Sequence, residues 1–397
     1  MYMKLIIIAI IIISIESKAS DFILNDQCPP TFEKLTDGTC KLRTLYDFYD
    51  SPPQHGGVKV KLPLLHDRYT PEQIDLGRYL FFDPILSINK DMSCASCHQP
   101  DKGLSDGRKR SLGTVLGVKR EELTRSTPTL WNVAFLKRFM WDGRADTLLS
   151  QAAIPLLSPL EMGNNRDGII NSVQSSTEYS RLFSLAYREQ PNFENITSAL
   201  VAFQSSLISF NSRYDRYAHG GEDALNKQEI RGYNAFRGFV ARCSQCHVPP
   251  LFTDSELAVI GAPANDKEYV DDGAGALSDD VFLKGAFKVP TLRNISKTAP
   301  YFHSGQFNNL LDVVSFYNNT RGHKAPKGQE LKLHWHIHMT DGPKLSKQNI
   351  DDIVAFLHSL EDEKNTPIIP QKLPSGLPLI PSLSSPIYQD HKKDNNK

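Results

Sequence analysis

The stretch Cys94-Ala-Ser-Cys-His98 follows the pattern Cys-x-x-Cys-His, and Cys243-Ser-Gln-Cys-His247 repeats it. In this pattern two thiols add across the vinyl groups of a haem, and the adjacent histidine becomes the proximal iron ligand. The abutting histidine and the second copy favour this interpretation over thiols that hold zinc or form disulfides. The motifs therefore predict two covalent c-type haems, bound through Cys94, Cys97, Cys243 and Cys246, with His98 and His247 as iron ligands.

The chain has 397 residues, and its 45 Lys and Arg residues balance its 45 Asp and Glu residues. No basic excess is available to meet phosphates, so the composition argues against nucleic acid as a partner. Residues 1–19 combine a lysine, a short apolar run and a mostly polar end, which is typical of a secretory signal peptide. The run is shorter than a typical membrane span, so we expect export to the periplasm and no stable span after cleavage. An uncleaved anchor is the alternative.

Two cysteines remain outside the haem motifs, Cys28 and Cys40. In an oxidising compartment they are expected to form a disulfide within an N-terminal extension, residues 20–60. Closing so short a loop stabilises the fold by about 2–3 kcal/mol.

A weak internal repeat surrounds the two motifs. Gly77-Arg-Tyr-Leu-Phe81 precedes the first motif, and Gly232-Tyr-Asn-Ala-Phe236 precedes the second. Helix-start signals open both copies and a later segment: Thr70 before Pro71, Asn226 with Glu229, and Ser346 before an apolar pattern over 347–360. We therefore predict a mainly α fold of two cytochrome-c-like haem domains with long loops. The predicted domains are 61–222, around the first haem motif, and 223–365, around the second, followed by an extended or disordered tail, 366–397.

Longer segments resemble the bacterial dihaem cytochrome c peroxidase family, and the resemblance covers residues 70–360. They are Ser126-Thr-Pro-Thr-Leu-Trp-Asn132, Trp141-Asp-Gly-Arg-Ala-Asp146, Gln151-Ala-Ala-Ile-Pro155, Pro159-Leu-Glu-Met-Gly163, Phe287-Lys-Val-Pro-Thr-Leu-Arg-Asn294 and Thr298-Ala-Pro-Tyr-Phe-His-Ser-Gly305.

The resemblance implies a role in the peroxide reaction for each of three side chains. Glu161 matches the distal carboxylate that moves a proton between the peroxide oxygens. Gln151 matches its neighbour, whose amide hydrogen-bonds the peroxide without titrating. Trp141 matches the indole that lies between the two haems and relays electrons.

Two departures from the family pattern indicate a subtype. Conventional members carry a histidine that caps the first haem, but the corresponding stretch, 111–120, has none, and no histidine lies between His98 and His219. The first haem should therefore have an open face at rest. Conventional members also carry a methionine fourteen residues after the position of His303, where this chain has Tyr317. A phenolate stabilises higher oxidation states of iron, whereas a thioether raises the reduction potential. Met339 and His334 are rival ligands that do not fit this offset.

The tyrosine resembles the MauG and MbnH branch of the family. That branch implies that hydrogen peroxide oxidises both haems to a high-valent state, which removes electrons from a Trp or Tyr residue of a partner protein. The alternatives are a periplasmic peroxidase that detoxifies hydrogen peroxide with electrons from a small cytochrome or cupredoxin, and a non-enzymatic dihaem electron carrier.

Two metal hypotheses accompany this interpretation. The resemblance implies a calcium ion held by carbonyls at Thr298 and Pro300, with Ser126 where the family usually has an asparagine, although a hydroxyl is the weaker ligand. Alternation in the segment His334-Trp-His336-Ile-His338 would place three imidazoles on one face of an extended chain. No further ligand is identifiable there, so we favour a solvated loop.

Overall fold

The computed structural model describes residues 22–43, 65, 67–113, 120–262, 270–318, 344–362 and 364–380. The signal peptide, the His334 to His338 segment, Met339 and residues 381–397 lie outside these ranges. Within them the α-helices are α1 (Pro71–Phe82), α2 (Cys94–Cys97), α3 (Leu148–Leu157), α4 (Arg166–Gln174), α5 (Thr177–Tyr187), α6 (Phe193–Ser205), α7 (Arg213–Ala218), α8 (Lys227–Arg237), α9 (Leu310–Asn318) and α10 (Lys347–His358).

Strands are short and form three antiparallel pairs in the described part of the chain. They are β1 (Phe32–Lys34) with β2 (Cys40–Leu42), β3 (Leu112–Gly113) with β4 (Glu121–Glu122), and β5 (Leu257–Val259) with β6 (Ala286–Lys288). In the first pair a disulfide joins Cys28 to Cys40, beside the buried Phe32. The predicted mainly α fold is confirmed.

Helix α1 crosses α6 at a glycine. A Cβ atom on Gly77 would lie 1.8 Å from the carbonyl oxygen of Ala199 and 2.9 Å from the Cβ of Phe203. Only a residue without a side chain allows the two backbones to approach so closely. The approach brings Phe81 against Phe203, with ring centroids 5.0 Å apart, in the core of the first domain.

The second domain repeats this crossing with α8 and α10. A Cβ on Gly232 would lie 1.9 Å from the carbonyl oxygen of Asp352 and 2.9 Å from the Cβ of Phe356. The rings of Phe236 and Phe356 then lie 5.2 Å apart. The internal repeat of the sequence therefore corresponds to two helix pairs of the same construction.

The predicted helix starts are confirmed by their capping contacts. Thr70 caps α1 in a reciprocal capping box with Gln73, and Pro71 occupies the first turn. Asn226 and Glu229 form the equivalent box on α8. Ser346 caps α10, which ends at His358, two residues before the predicted end. Each cap satisfies backbone N–H groups that the first helical turn leaves without a partner.

Packing crosses the predicted domain limits at two points. Tyr214 of α7 precedes residue 223, yet it is buried in the core cluster of the second domain with Phe252 and Phe356. The described part of the tail returns to the first domain, where Leu373 is buried and Ser375 donates a hydrogen bond to Asp83. Residues 366–380 contain no helix or strand, and they lie along the first domain as an extended strap.

Replacing Gly232 with alanine is expected to cost about 3 kcal/mol or more of unfolding free energy, because the new methyl group overlaps the backbone of α10. Denaturant unfolding followed by circular dichroism measures the loss. Lys227→Ala, at an exposed position of the same helix, is the control and should change stability by less than about 0.5 kcal/mol. Equal stability of the two variants would contradict the close crossing.

Candidate active site

Both motif histidines are oriented by a backbone carbonyl. The Nδ1 of His98 lies 3.0 Å from the carbonyl oxygen of Leu104, and the Nδ1 of His247 lies 3.0 Å from that of Phe252. A carbonyl can only accept, so Nδ1 carries the proton and Nε2 keeps a lone pair for a metal. Burial lowers the pKa of both imidazoles, which favours the neutral form that binds iron.

The two accepting carbonyls share an unusual backbone conformation. Leu104 has φ of 60° and Phe252 has φ of 54°. Bulky residues rarely occupy this left-handed region, which costs free energy that the surrounding fold must supply. In both domains the strained turn points a carbonyl at the histidine ring.

The four motif cysteines are not joined in disulfides and lie partly buried beside these histidines. Burial raises the pKa of Cys94 and of Cys243 to about 12. Without a bound group, thiols of this kind stay protonated at neutral pH. Partly buried thiols beside a neutral imidazole fit a haem attached through its vinyl groups.

A large, mainly apolar cavity occupies the second domain. Apolar side chains such as Phe236, Val289 and Leu357 line it. The sequence-predicted residues that also line it are Cys243, Cys246, His247, Tyr317, Trp141, Ser126, Thr298 and Pro300. A flat apolar macrocycle with one imidazole ligand fits this lining. Tyr317, on α9, brings a phenol into the cavity that contains His247.

The first domain contains Gln151 and Glu161, the two side chains predicted for the peroxide pocket. Gln151, on α3, points its Nε2 at the sulfur of Met140, 3.8 Å away, and its Oε1 is buried without a protein partner among the described residues. Such an orphaned amide oxygen suits a hydrogen bond to a small bound molecule. Glu161 follows in the turn after the helix, where its backbone N–H donates to Ser158.

Burial raises the pKa of Glu161, and Arg144 opposes this effect. The pKa of the Cys97 thiol is raised mainly by burial and further by the negative charges of Asp106 and Glu161. Glu161 is therefore near enough to Cys97 for their charges to interact. A carboxyl group with a raised pKa beside a peroxide site can both accept and return a proton.

Trp141 lines the cavity of the second domain and adjoins a residue that contacts Gln151. Its ring lines the second cavity, and its Nε1 donates to the backbone carbonyl of Ser126 over 2.8 Å. The neighbouring residue, Met140, contacts Gln151 of the first pocket. The indole therefore lines the second cavity, and the preceding residue, Met140, contacts the predicted peroxide-binding side chain Gln151.

Both oxygens of Ser126, at the position where the predicted calcium site usually has an asparagine, form hydrogen bonds. Its hydroxyl donates to the carbonyl of Phe302 over 2.8 Å, and its own carbonyl accepts from Trp141. Thr298 and Pro300 line the same cavity. The described residues contain no group of three or more His, Cys, Asp or Glu side chains suited to a metal. The calcium ion stays a prediction, and no step proposed below uses it.

An ion-pair network joins the segments around the two pockets. The guanidinium of Arg125 bonds Asp142 at 2.6 Å and holds Asp271 at 2.7 and 2.8 Å. Asp142 also accepts from Arg144 at 2.8 Å. Burial alone would raise the pKa of both aspartates, but the hydrogen bonds and charge of Arg125 outweigh it and lower the pKa of each.

Sequence reasoning missed several residues of this site. Arg125 immediately precedes the Ser126 motif, and Lys288 and His303 lie inside quoted motifs, so their positions were the available signal. Asp271 and Met140 carried no motif signal. Only the folded chain shows that Asp271 meets Arg125.

Comparisons with known proteins agree with this geometry. The methylamine utilization protein MauG of Methylorubrum extorquens is 36% identical over 307 residues, covering 76% of this chain and 82% of the relative. The chain belongs to the dihaem cytochrome c peroxidase family. The family model described as "Di-haem cytochrome c peroxidase" matches residues 71–223. The chain is thus a dihaem peroxidase-type oxidoreductase that uses hydrogen peroxide, as predicted, and the alternative of a non-enzymatic electron carrier is set aside.

Other relatives are named either as peroxidases or as MauG-like proteins. The cytochrome c551 peroxidase of Nitrosomonas europaea is 32% identical, covering 76% of this chain and 85% of the relative. A solved MauG-like protein associated with microbial copper homeostasis matches with a TM-score of 0.66 and 27% identity, covering 84% of this chain and 98% of that one. The dihaem peroxidase BthA from Burkholderia thailandensis also has a TM-score of 0.66, at 26% identity, covering 79% and 91%. Across the described residues, no helix combines the length and apolar character needed to span a bilayer.

Replacing Arg125 with methionine is expected to cost about 3–5 kcal/mol at neutral pH, because the buried carboxylates of Asp142 and Asp271 both lose the charge of its guanidinium. In the wild type the lowered pKa of both aspartates adds stability above about pH 3.9, which is lost as the pH falls through the lower folded pKa. In the variant burial dominates at Asp271, so acid unfolding should begin at a higher pH. Near-UV circular dichroism against pH measures the midpoint.

The matched control for this prediction is Lys284→Met, which removes a pair with Asp272 that is 3.9 Å long and largely exposed. Its acid midpoint should stay at the wild-type value. A wild-type midpoint in Arg125→Met as well would show that the network does not stabilise the fold.

Proposed function

We propose that this dihaem enzyme uses hydrogen peroxide to oxidise a Trp or Tyr residue of a partner protein. The observation that carries the proposal is the presence of Tyr317 in the cavity of His247. A phenolate ligand favours oxidised iron, which suits a site that stores an oxidising equivalent rather than one that receives electrons from a small cytochrome. The identity of the partner protein lies outside this chain, and we propose that both meet in the periplasm after export.

We propose that Cys94 and Cys97 bind the first haem covalently, with His98 on its iron, and that Cys243, Cys246, His247 and Tyr317 hold the second. When bound, the haems supply the iron that takes up the two oxidising equivalents of peroxide. The absence of histidine between His98 and His219 in the sequence supports an open face on the first haem. Peroxide would then enter without prior reduction of the enzyme.

Glu161 is the proposed acid and base of the peroxide pocket. Its carboxylate accepts the proton of one peroxide oxygen and returns it to the other, so that the departing oxygen leaves as water. The raised pKa of Glu161 supports this exchange, because raising it lowers the cost of holding the proton between the two transfers. Gln151 orients the peroxide through its unpartnered amide oxygen.

Trp141 is the proposed relay between the two haems. Its indole N–H is held by Ser126 and its ring lines the second cavity, so its orientation is fixed. The ring of His303 lies edge-on to the indole, with centroids 6.4 Å apart and an angle of 70° between the planes. An indole held in this orientation would divide one long electron transfer between the haems into two shorter steps.

Peroxide detoxification is the second candidate function. It is favoured by the cytochrome c551 peroxidase of Nitrosomonas europaea, whose identity to this chain is close to that of MauG. In that case the electrons would come from a small cytochrome or cupredoxin. The two functions differ in the fate of the oxidising equivalents, because only the first modifies a protein.

Mixing the oxidised holoprotein with stoichiometric hydrogen peroxide, without reductant, tests the proposed function. The optical spectra of both haems should change at once, and a co-expressed partner should gain oxygen mass at a Trp or Tyr. A response only after one haem is reduced, with rapid consumption of reduced cytochrome and no mass gain, would assign detoxification instead.

Replacing Glu161 with glutamine should slow the reaction with peroxide by about 10²–10⁴-fold while both haems are retained. The wild-type rate should fall as the pH drops through the raised pKa of Glu161, since the protonated acid cannot accept a proton, and the variant rate should be flat there. Stopped-flow absorbance measures both. Glu256→Gln, at an exposed glutamate, is the control, and a wild-type rate in Glu161→Gln would remove the proposed role.

Replacing Tyr317 with methionine should change the low-spin spectrum of the second haem and abolish partner oxidation, while peroxide still binds at the first. A thioether favours reduced iron, so the variant should gain turnover with reduced cytochrome. Tyr301→Phe, at another tyrosine that lines the cavity, is the control and should keep the wild-type spectrum. An unchanged spectrum in Tyr317→Met would exclude Tyr317 as the ligand.

A further inference from the structure

Lys288 is a buried lysine at the wall of the second cavity. It ends β6, opposite Leu257 of β5, and only 6% of its surface is exposed. Its backbone N–H donates to the carbonyl of Trp141 over 2.7 Å. The residue therefore belongs to the same wall of the cavity as the proposed relay.

The ammonium of Lys288 has no acidic neighbour in the described part of the chain. No Asp or Glu is among the described residues that line the cavity, and Lys288 forms no ion pair with them. Burial is the one influence on its pKa, which falls to about 8. A buried lysine elsewhere in proteins is normally paired, because an isolated charge in an apolar medium is costly.

We propose that Lys288 binds a propionate of the second haem and raises the reduction potential of that haem. A haem carries two anionic propionates at the edge opposite its thioether bonds. The other cation of the lining, Arg242, directly precedes Cys243 and so lies at the thioether edge. The guanidinium of Arg242 stacks on the ring of Phe239, 3.6 Å from its centroid, and donates a hydrogen bond to the backbone carbonyl of Phe239. Among the described residues that line the cavity, Lys288 is thus the cation available to the propionate edge.

The charge of Lys288 opposes that of Tyr317. A cation near the iron favours the reduced state, whereas a phenolate favours the oxidised state. Lys288 therefore limits how far the phenolate lowers the potential, and it keeps the second haem able to exchange electrons with Trp141. The inference rests on the proposed second haem, and it holds for partner oxidation and for detoxification alike.

The test is the midpoint potential of the second haem in Lys288→Met, measured by spectroelectrochemistry without peroxide or partner. Loss of the cation should lower the reduction equilibrium constant about tenfold, which is about 59 mV for a one-electron couple. Lys288→Arg keeps the charge and should stay within about threefold of wild type, or about 28 mV on the same scale. The control Lys284→Met removes an exposed lysine of the neighbouring segment and should leave the potential unchanged.

A wild-type potential in Lys288→Met, with two haems counted by the pyridine haemochrome assay, would overturn the inference. If that variant fails to fold, the crystal structure of the wild-type holoprotein decides: the Nζ of Lys288 must lie within hydrogen-bond distance of a propionate oxygen. An ammonium turned away from both propionates would also overturn it. Neither result bears on the ligand role of Tyr317, which is tested by the low-spin spectrum, so the two proposals fail separately.

Discussion

The ion pairs of Arg125 connect the chain segments that carry the two proposed haem sites. Its guanidinium bonds Asp142, next to Trp141, and Asp271 of the second domain. Two buried carboxylates would repel each other and resist burial without a cation between them. Because Asp142 also holds Arg144, whose charge acts on Glu161, one network sets the electrostatics from the second domain to the peroxide pocket. The position of Trp141 follows from this arrangement.

The two domains build their haem sites in the same way and then finish them differently. In each, a glycine lets two helices cross closely, and a strained carbonyl fixes the histidine ring. The first domain then adds Glu161 and Gln151, with an amide oxygen left for a ligand. The second adds Tyr317 and Lys288 around an apolar cavity. Shared construction provides two haem sites, and we propose that a few side chains separate peroxide chemistry from storage of the oxidising equivalent.

Relatives named for methylamine utilization and relatives named peroxidases share this fold at similar identity. The scaffold therefore does not distinguish the two activities. The distinction that we propose lies in the ligand opposite His247, where a phenolate and a thioether have opposite effects on the iron. A single side chain of α9 then selects between oxidising a protein and accepting electrons, while the peroxide pocket of the first domain serves both.

The sequence by itself determined the haem motifs, the helix caps and the family, because these depend on residues a few positions apart. The spacing of Cys94, Cys97 and His98 is a local covalent requirement, so it can be recognised in the unfolded chain. It did not reveal the pairing of Arg125 with Asp271, which lie 146 residues apart, or the return of the tail to the first domain. The sequence also contained no sign that Lys288, which lies inside a quoted motif, is buried at the wall of the second cavity. Those relations exist only after the helices pack, because burial and the approach of distant charges are properties of the tertiary structure.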